Sequence, residues 1–405
     1  MRLIVLLFVS LKLVFALSLE EAVELAIKNN TSMRLSILDL QKAEENIRKA
    51  KAGILPQVNF SYSYTRFGGE LVFGATPRNR HSYALGVEQT LFNRAVFEGL
   101  KFAKDQRELQ ELVYEDVKRE VEFQTKQFFY SLLYKKEVIK LFEENLKYWE
   151  ENYRQTEGKF QAGIVPKVEL MRAKAQLENA KAQLENAIAD YKKSLEDFKA
   201  FLRYEGELEI QGELQRGELR QEDIRASLEN NSTLRVARKN LEVFQRVVEV
   251  QRSQYYPTLD LFATYQGNTA SIGGRDTMVE GYTVGARLNY KIFDGFAREA
   301  SIAQARIDLL RQMENLKDTE EKLKAELNKT LLDIRALDAQ IKATELALES
   351  ARESLRLSKE RYRFGVGTQL EVLDAVSNYN NTLQNYYFLL YLYNTALARL
   401  ERLIR

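Results

Sequence analysis

The sequence contains no cysteine and a single histidine, which narrows the chemistry that this protein can perform. Among its 405 residues there is no Cys, one His and one Trp. Disulfides and thiol catalysis require Cys, and the usual zinc sites require Cys or several His residues, so the sequence excludes all three. The scattered glycines precede no Gly-Lys-Ser/Thr sequence, so no phosphate-binding loop is indicated. We therefore expect no enzymatic activity, no cofactor and no metal site.

The chain also lacks an excess of charge of either sign. It has 60 Lys and Arg against 58 Asp and Glu, a formal net charge of +2. Proteins that bind nucleic acid carry basic stretches that neutralise phosphates, and no long basic stretch is present. We expect no nucleic-acid partner.

Long hydrophobic runs are scarce. The longest spans Leu3 to Leu17 and is interrupted by Ser10 and Lys12. A membrane helix needs about 20 apolar residues, so this run predicts a signal peptide over residues 1–17, with Ala16 as the small residue at a cleavage position. The apolar run at 386–393 is shorter still. If this chain enters a membrane, it must do so by strands.

Proline is rare, and its positions separate the predicted elements. Between Ala95 and Gln161 there is none, which predicts a helix of about 100 Å at ~1.5 Å per residue. Residues 175–181 and 182–188 repeat almost letter for letter, which is typical of a coiled-coil seam. We predict two long coiled-coil hairpins, at about 95–203 and 297–403. None of the four prolines lies inside a predicted helix: Pro56, Pro77, Pro166 and Pro257.

The period changes from helical to alternating after Pro56 and again after Pro257, because proline cannot continue a helix. The alternation predicts four strands in two pairs, at about 57–66, 82–92, 258–266 and 282–293. We expect the second pair to be joined by a glycine-rich loop that includes Gly267. One face of these strands is apolar with aromatic residues, and the other is small and polar. In an outer-membrane barrel the apolar face meets lipid and the polar face lines water.

The chain is a tandem duplication. Asn30, Pro56 and Gly163 recur as Asn231, Pro257 and Gly365, each about 200 residues further on. We predict a first repeat over residues 18–203, a linker or equatorial segment over 204–221, and a second repeat over 222–405. Each repeat runs helix, strand, strand, long helix, tip, long helix.

The two hairpin tips have the same sequence plan. An aromatic residue ends the first helix, a glycine three positions later permits the reversal, and a carboxylate lies early in the next helix, where the helix dipole favours negative charge. At the second tip, a pair of acids spaced i, i+3 shares one helix face. The tip residues are Gly163, Pro166 and Glu169 in the first copy, and Tyr362, Gly365, Glu371 and Asp374 in the second.

Four strands cannot close a barrel, because a spanning barrel needs about eight or more and open edges cannot face lipid. Strands from several chains must therefore be pooled. Three copies would supply a 12-stranded barrel together with a ring of helical hairpins, which is a conduit. The alternative is a periplasmic coiled-coil adaptor or tether without a pore. Long hairpins fit both, and the four amphipathic strands favour the channel.

Nearly the whole chain resembles the TolC-like outer-membrane efflux proteins. The resemblance rests on the duplication, on Pro56 and Pro257, and on the tip motifs Gly163 to Gln176 and Tyr362 to Ala375. It implies a mainly helical homotrimer with a β-barrel in the lipid of the outer membrane. Its helical tunnel would cross the periplasm to an adaptor and a proton-driven or ATP-driven inner-membrane pump, in tripartite efflux or type I secretion. The cargo, whether drug, metal ion or protein, stays open.

The resemblance also implies roles for the tip residues. The periplasmic entrance would be closed at rest, with Tyr362 and Glu169 helping to hold it. The family Arg two residues after the second tip glycine is Gly367 here, so the closed state has fewer polar links or different ones. Glu371 and Asp374 match the acidic ring at the tunnel entrance.

Overall fold

The computed structural model describes residues 15–71, 76–218, 228–273 and 275–404, which form two compact units. The first, called the hairpin unit, comprises Met1–Leu35, Glu115–Ser232 and Glu321–Arg405. The second, called the strand unit, comprises Ser36–Tyr114 and Thr233–Glu320.

Seven described helices account for most of the chain. The two helices predicted from the lack of proline are present, with 68 and 67 residues, and each contributes to both units. Within the described residues, no helix is both long enough and apolar enough to span a bilayer. The helices are α1 (Leu19–Asn29), α2 (Thr31–Ala52), α3 (Arg94–Gln161), α4 (Lys167–Leu202), α5 (Ser232–Arg252), α6 (Ala297–Arg363) and α7 (Gln369–Ile404).

In the hairpin unit the helices pack through seams with coiled-coil spacing. On α4, Ala173, Leu177 and Ala180 are buried at alternating steps of four and three residues. Small alanines at these positions allow neighbouring helices to approach closely. On α6, Ile334 and Ile341 are almost fully buried one heptad apart.

Two equivalent asparagines of the hairpin unit bind the last turns of the returning helices α4 and α7. The Asn30 side chain accepts a hydrogen bond from the Ser32 amide (2.8 Å) and donates one to the Phe201 carbonyl (3.0 Å). In the second repeat, Asn231 donates to the Leu403 carbonyl at 3.0 Å. Asn30 therefore separates α1 from α2, and its copy Asn231 repeats the contact to the returning helix.

The strand unit contains one antiparallel sheet of four strands. The strands are β2 (Gln57–Arg66), β3 (Asn79–Asn93), β5 (Thr258–Ile272) and β6 (Arg275–Asn289), in the order β2-β3-β5-β6. Each repeat supplies one hairpin, and β3 pairs with β5 where the two hairpins meet. Pro56 and Pro257 immediately precede β2 and β5, as the change of period predicted.

The second strand pair differs from the prediction at both ends. Gly267 is not in a loop but inside β5, paired with Tyr83 and Glu280. A Cβ there would lie 2.6 Å from the Tyr83 ring, so glycine leaves the space that this ring fills. Strand β6 ends at Asn289 rather than residue 293, because its partner in β5 is Thr258 and the preceding proline has no N–H for another ladder bond.

The predicted signal peptide overlaps a short strand. Residues 1–14 lie outside the described residues, but β1 (Phe15–Leu17) pairs in parallel with β4 (Leu208–Ile210). Leu17 is fully buried, and its carbonyl accepts a hydrogen bond from the Gln211 amide at 2.9 Å. The predicted boundary at residue 17 therefore falls on the last residue of β1, and cleavage there stays a prediction. The predicted linker over 204–221 contains β4. Residues 219–221 of this linker and residues 222–227 of the second repeat lie outside the described residues.

Candidate functional site: the hairpin tips and the acidic groove

The first tip, between α3 and α4, is a glycine-terminated helix end. The Gly163 amide donates to the Phe160 carbonyl (3.0 Å), and the Ile164 amide donates to the Lys159 carbonyl (2.8 Å). These two bonds are the Schellman arrangement, which requires a left-handed residue. Gly163 has φ +72°, a conformation that costs a residue with a Cβ about 1 kcal/mol or more.

The second tip, between α6 and α7, repeats this geometry. The Gly365 amide donates to the Tyr362 carbonyl (3.1 Å), the Val366 amide donates to the Arg361 carbonyl (3.0 Å), and Gly365 has φ +74°. The two reversals are thus built from the same backbone bonds.

The predicted carboxylates take the same place in the helices that follow. Pro166 is the N-cap of α4, and Glu169 is the third residue of that helix. Thr368 precedes α7, and its hydroxyl accepts a hydrogen bond from the amide of Glu371, again the third residue, at 3.2 Å. Both acids therefore lie where the helix dipole stabilises a negative charge.

Tyr362 lies against the first hairpin. It packs on an apolar cluster that includes Trp149, Leu177 and Val372, and the Lys159 ammonium lies 4.9 Å from its ring centroid. Burial, and then the nearby charge of Glu169, raises the pKa of Tyr362. Within the described residues no hydrogen bond joins this hydroxyl to the Glu169 carboxylate. The structure therefore brings the two predicted gate residues into electrostatic range without a direct bond.

A second tyrosine–lysine pair beside this cluster was not found from the sequence. The Lys359 ammonium lies 4.3 Å from the ring centroid of Tyr148, whose edge contacts Trp149. Burial raises the pKa of Tyr148 to about 12, and burial lowers the pKa of Lys359. The clue in the sequence is a lysine one helical turn before Tyr362, but its partner on α3 depends on the packing of the two hairpins.

Glu371 and Asp374 lie together on a groove between α6 and α7. The groove has a volume of ≈ 900 Å³, and both acids are exposed on its wall together with Glu349 and Glu353. Both carboxylate oxygens of Glu353 are bonded by the Arg356 guanidinium, at 2.8 and 2.6 Å. Glu371 and Asp374 are the two acids of the groove that lie beside each other at the start of α7.

Arg361 also lines this groove and was missed by the sequence analysis. Its Nε lies 3.7 Å from Oε2 of Glu371, and its Nη2 donates to the Val366 carbonyl at 3.4 Å. Both side chains are about half exposed, so this pair contributes at most ~1 kcal/mol to stability. Its consequence is electrostatic, because it places one positive charge among the acids.

Gly367 fits a tight place in the second tip. Its amide donates to the Arg361 carbonyl at 3.1 Å, and an added Cβ would lie 3.0 Å from the Cβ of Arg361. A larger residue here would have to displace the preceding turn by a few tenths of an ångström. Among the residues that the structure describes, no group of three or more His, Cys, Asp or Glu side chains could hold a metal ion.

Duplicated helical hairpins with glycine tips, joined to a four-stranded antiparallel sheet with one apolar face, define the class of outer-membrane exit channels. The family profile described as "Outer membrane efflux protein" matches residues 22–202 and 224–404, one match for each repeat. The chain belongs to this family.

Named relatives and a solved structure agree with this assignment. The chain is 22% identical to outer membrane protein TolC of Escherichia coli over 372 residues, 88% of this chain and 76% of the relative. It is 23% identical to the alkaline protease secretion protein AprF of Pseudomonas aeruginosa over 410 residues, 96% and 84% of the two chains. Its fold matches the CmeC outer membrane channel of Campylobacter jejuni with a TM-score of 0.79 and 19% identity, covering 95% and 85%.

Family membership confirms the main functional prediction. The protein is an outer-membrane channel of the kind that serves as the exit duct in tripartite efflux and secretion systems. Channels of this family form trimers and work with an adaptor and an inner-membrane pump. The alternative of an adaptor without a pore is not retained. The family is one of transport channels.

Proposed function

We propose that this chain forms a homotrimeric exit duct whose periplasmic entrance carries a ring of carboxylates from Glu371 and Asp374. The observation that carries the proposal is the exposed pair itself, three residues apart on one face of α7 beside the tip. Three chains would pool twelve strands into a closed barrel and bring about six carboxylates together.

The charge at such an entrance favours cations. At ~8 Å and an effective dielectric of ~40, two carboxylates repel each other by about 1 kcal/mol. A bound cation relieves this repulsion, and a multivalent cation relieves several pairs at once. Arg361 reduces the net charge beside Glu371, so Asp374 is the less compensated acid of the pair.

The two tips supply the closure of the entrance in this proposal. Tyr362 packs on the first hairpin under Lys159, with Glu169 in electrostatic range. Because Gly367 offers no side chain, the closed state relies on packing around Tyr362 more than on polar links. This supports a duct closed at rest that opens when the second tip leaves the first.

The test is conductance of the purified full-length protein in planar bilayers. We expect cation-selective channels that a multivalent cation such as hexaamminecobalt(III) blocks from the periplasmic side. The variant with Glu371→Gln and Asp374→Asn should conduct with the block weakened at least tenfold, since both acids of each chain are removed. Glu185→Gln is the matched control, because it removes an exposed acid of α4 about five helical turns from the tip and should leave the block in place.

Two results would contradict the proposal. Equal block in the double variant and in the unmodified protein would assign the acids only to the stabilisation of the α7 start. If correctly folded protein forms no conducting channel, the proposal of a duct is wrong.

The partners are proposed at the level of class: a periplasmic adaptor and a proton-driven or ATP-driven inner-membrane pump. Relatives named for efflux and relatives named for protease secretion both match this chain, so the cargo class is not assigned. Crosslinking in native membranes, followed by mass spectrometry, would distinguish the two pump classes.

A further inference from the structure

One face of the four-stranded sheet is mostly small and polar. Residues directly opposite one another in an antiparallel sheet point to the same side. The row of Asn59, Gly86, Thr264 and Thr283 is representative of this polar face. Among the described residues of β2, β3, β5 and β6, Phe262 is the one aromatic residue on it. The other strand tyrosines and phenylalanines point to the opposite face.

Phe262 is held in place by a glycine and an arginine. A Cβ on its neighbour Gly285 would lie 2.9 Å from the ring, so the absence of a side chain there makes room for the ring. The guanidinium carbon of Arg287 lies 5.0 Å from the ring centroid. This distance allows a cation–π contact that holds the guanidinium close to the wall of the sheet.

The same guanidinium spans three strands. Its Nη1 lies 3.8 Å from Oε1 of Glu88 on β3, although Arg287 is on β6 and Phe262 lies between them on β5. The side chains of Glu88 and Arg287 are 49% and 54% exposed. Both side chains therefore pack against the sheet on one side and contact water on the other.

A second carboxylate completes the cluster. Asp260 is directly opposite Arg287 in the β5–β6 register, and the Thr90 hydroxyl donates to its Oδ1 at 3.0 Å. The two acids and one base give a net charge of −1 at neutral pH. We call Glu88, Asp260, Phe262 and Arg287 the collar.

The collar lies near the ends of the strands that join the helices. Strand β3 runs directly into α3 at Arg94, and β5 starts directly after Pro257. The collar is within a few residues of both points, and it is distant in sequence from the tips that carry Glu371 and Asp374.

We propose that the collar lines the water-filled side of the pooled strands and sets a charge preference for the ions and solutes that pass it. This inference rests on the proposed trimeric duct, in which three collars would form one ring. The ring favours small cations through its excess carboxylates. Stacking on Phe262 keeps the Arg287 guanidinium against the wall, so it offsets the acids without extending across the path.

A purely structural role is the competing interpretation. In that case Phe262 only fills the space above Gly285, and the half-exposed pair of Glu88 and Arg287 adds little to stability. A structural role would change the melting temperature and leave ion selectivity unchanged. Selectivity is therefore the readout.

The experiment measures reversal potentials of the full-length protein in planar bilayers under a KCl gradient at low salt, where screening is weakest. One charge at ~10 Å and an effective dielectric of ~60 changes an ion's energy by about RT. Because the energies of a cation and an anion shift by about RT in opposite directions, we expect Arg287→Gln to raise the cation-to-anion permeability ratio by about sevenfold or more. The variant with Glu88→Gln and Asp260→Asn should lower the ratio by a similar or larger factor.

Glu280→Gln is the matched control for the collar. Glu280 lies on the same sheet but on the aromatic face, opposite Gly267 and next to the Tyr83 and Tyr265 hydroxyls. Its removal changes the charge of the sheet by the same amount and should leave the permeability ratio unchanged.

Each outcome decides something. Conducting variants with unaltered permeability ratios overturn the collar and leave the duct intact. If Glu280→Gln lowers the permeability ratio as much as the Glu88→Gln and Asp260→Asn variant does, the assignment of the faces is wrong. If the unmodified protein does not conduct, the proposed duct fails first. The two collar variants act in opposite directions, so a general loss of folding cannot produce the expected pair of results.

Discussion

At the scale of single residues, the two equivalent asparagines have the clearest energetic role. Asn30 is 5% exposed and Asn231 is 2% exposed, and each bonds the last turn of a hairpin's returning helix. Replacing Asn30 removes a helix cap, worth about 1 kcal/mol, and leaves a part-buried carbonyl without its donor, worth about 1–3 kcal/mol.

We therefore expect Asn30→Ala to destabilise the protein by about 2 kcal/mol or more, and Asn231→Ala by a comparable amount. Thermal unfolding followed by the helical circular dichroism signal checks this. Asn29→Ala is the control, since Asn29 is the neighbouring asparagine and is less buried. Equal melting temperatures for all three variants would show that these carbonyl bonds do not stabilise the fold.

Single residues also show where sequence reasoning ended. Glu169 and Glu371 could be placed early in their helices because each follows a glycine reversal at a fixed spacing. Arg361 could not be assigned to Glu371, because the contact depends on how the turn after Gly365 folds back over the end of α6. The partnership of Tyr148 with Lys359 likewise required the packing between hairpins.

At the scale of elements, the seam of α4 depends on small residues. Ala180 is 1% exposed and belongs to the cluster with Trp149, Val372 and Val376. We expect Ala180→Leu to overpack this seam and to cost about 1–3 kcal/mol. Thermal unfolding measures the loss.

Ala182→Leu is the matched control on the same helix, because Ala182 is exposed and its substitution touches no seam. The contrast between the two variants isolates packing from helix propensity, since both replace alanine by leucine. A melting temperature for Ala180→Leu as high as that of the control would show that the helices separate easily at this level.

The elements themselves were largely predictable, because proline and glycine set their limits. Helix α6 begins at Ala297 and ends at Arg363, as predicted, and the glycine of the second tip sets its end. The error at Gly267 has a physical origin: glycine usually marks a turn, but here it makes space for the Tyr83 ring inside a strand. That space depends on the partner strand, which the local sequence does not specify.

At the scale of the whole molecule, the two faces of the sheet determine how the protein meets the membrane. Val284 and Thr283 are neighbours on β6 that point to opposite faces, and Val284 lies in a row with Val58, Val87 and Ala263. Val284 is 71% exposed in the single chain, as expected for a side chain that faces lipid.

We expect Val284→Arg to destabilise the membrane-inserted form by about 2–4 kcal/mol if this row lies at the bilayer midplane. Thr283→Arg should be tolerated, because its side chain faces water. The measurement is the fraction of protein that folds into lipid vesicles, read by the mobility difference between unheated and heated samples. Equal folding of the two variants would contradict the assignment of the faces.

The architecture of the molecule could be predicted from the sequence because the chain is a tandem duplication. Each repeat confirmed the spacing of the other, from the break at Asn30 to the tip at Gly365. The pairing of β3 with β5 could not be read in this way, because it joins the two repeats and is encoded in neither alone.

The equal construction of the tips makes them interchangeable parts. In both, five residues separate the end of one long helix from the start of the next, and the reversal uses the same pair of backbone bonds. A chimera that carries either loop in both hairpins would keep the chain in register. In the proposed closure, the difference between the two tips is therefore carried by their side chains, so that one tip can change without altering the backbone of the other.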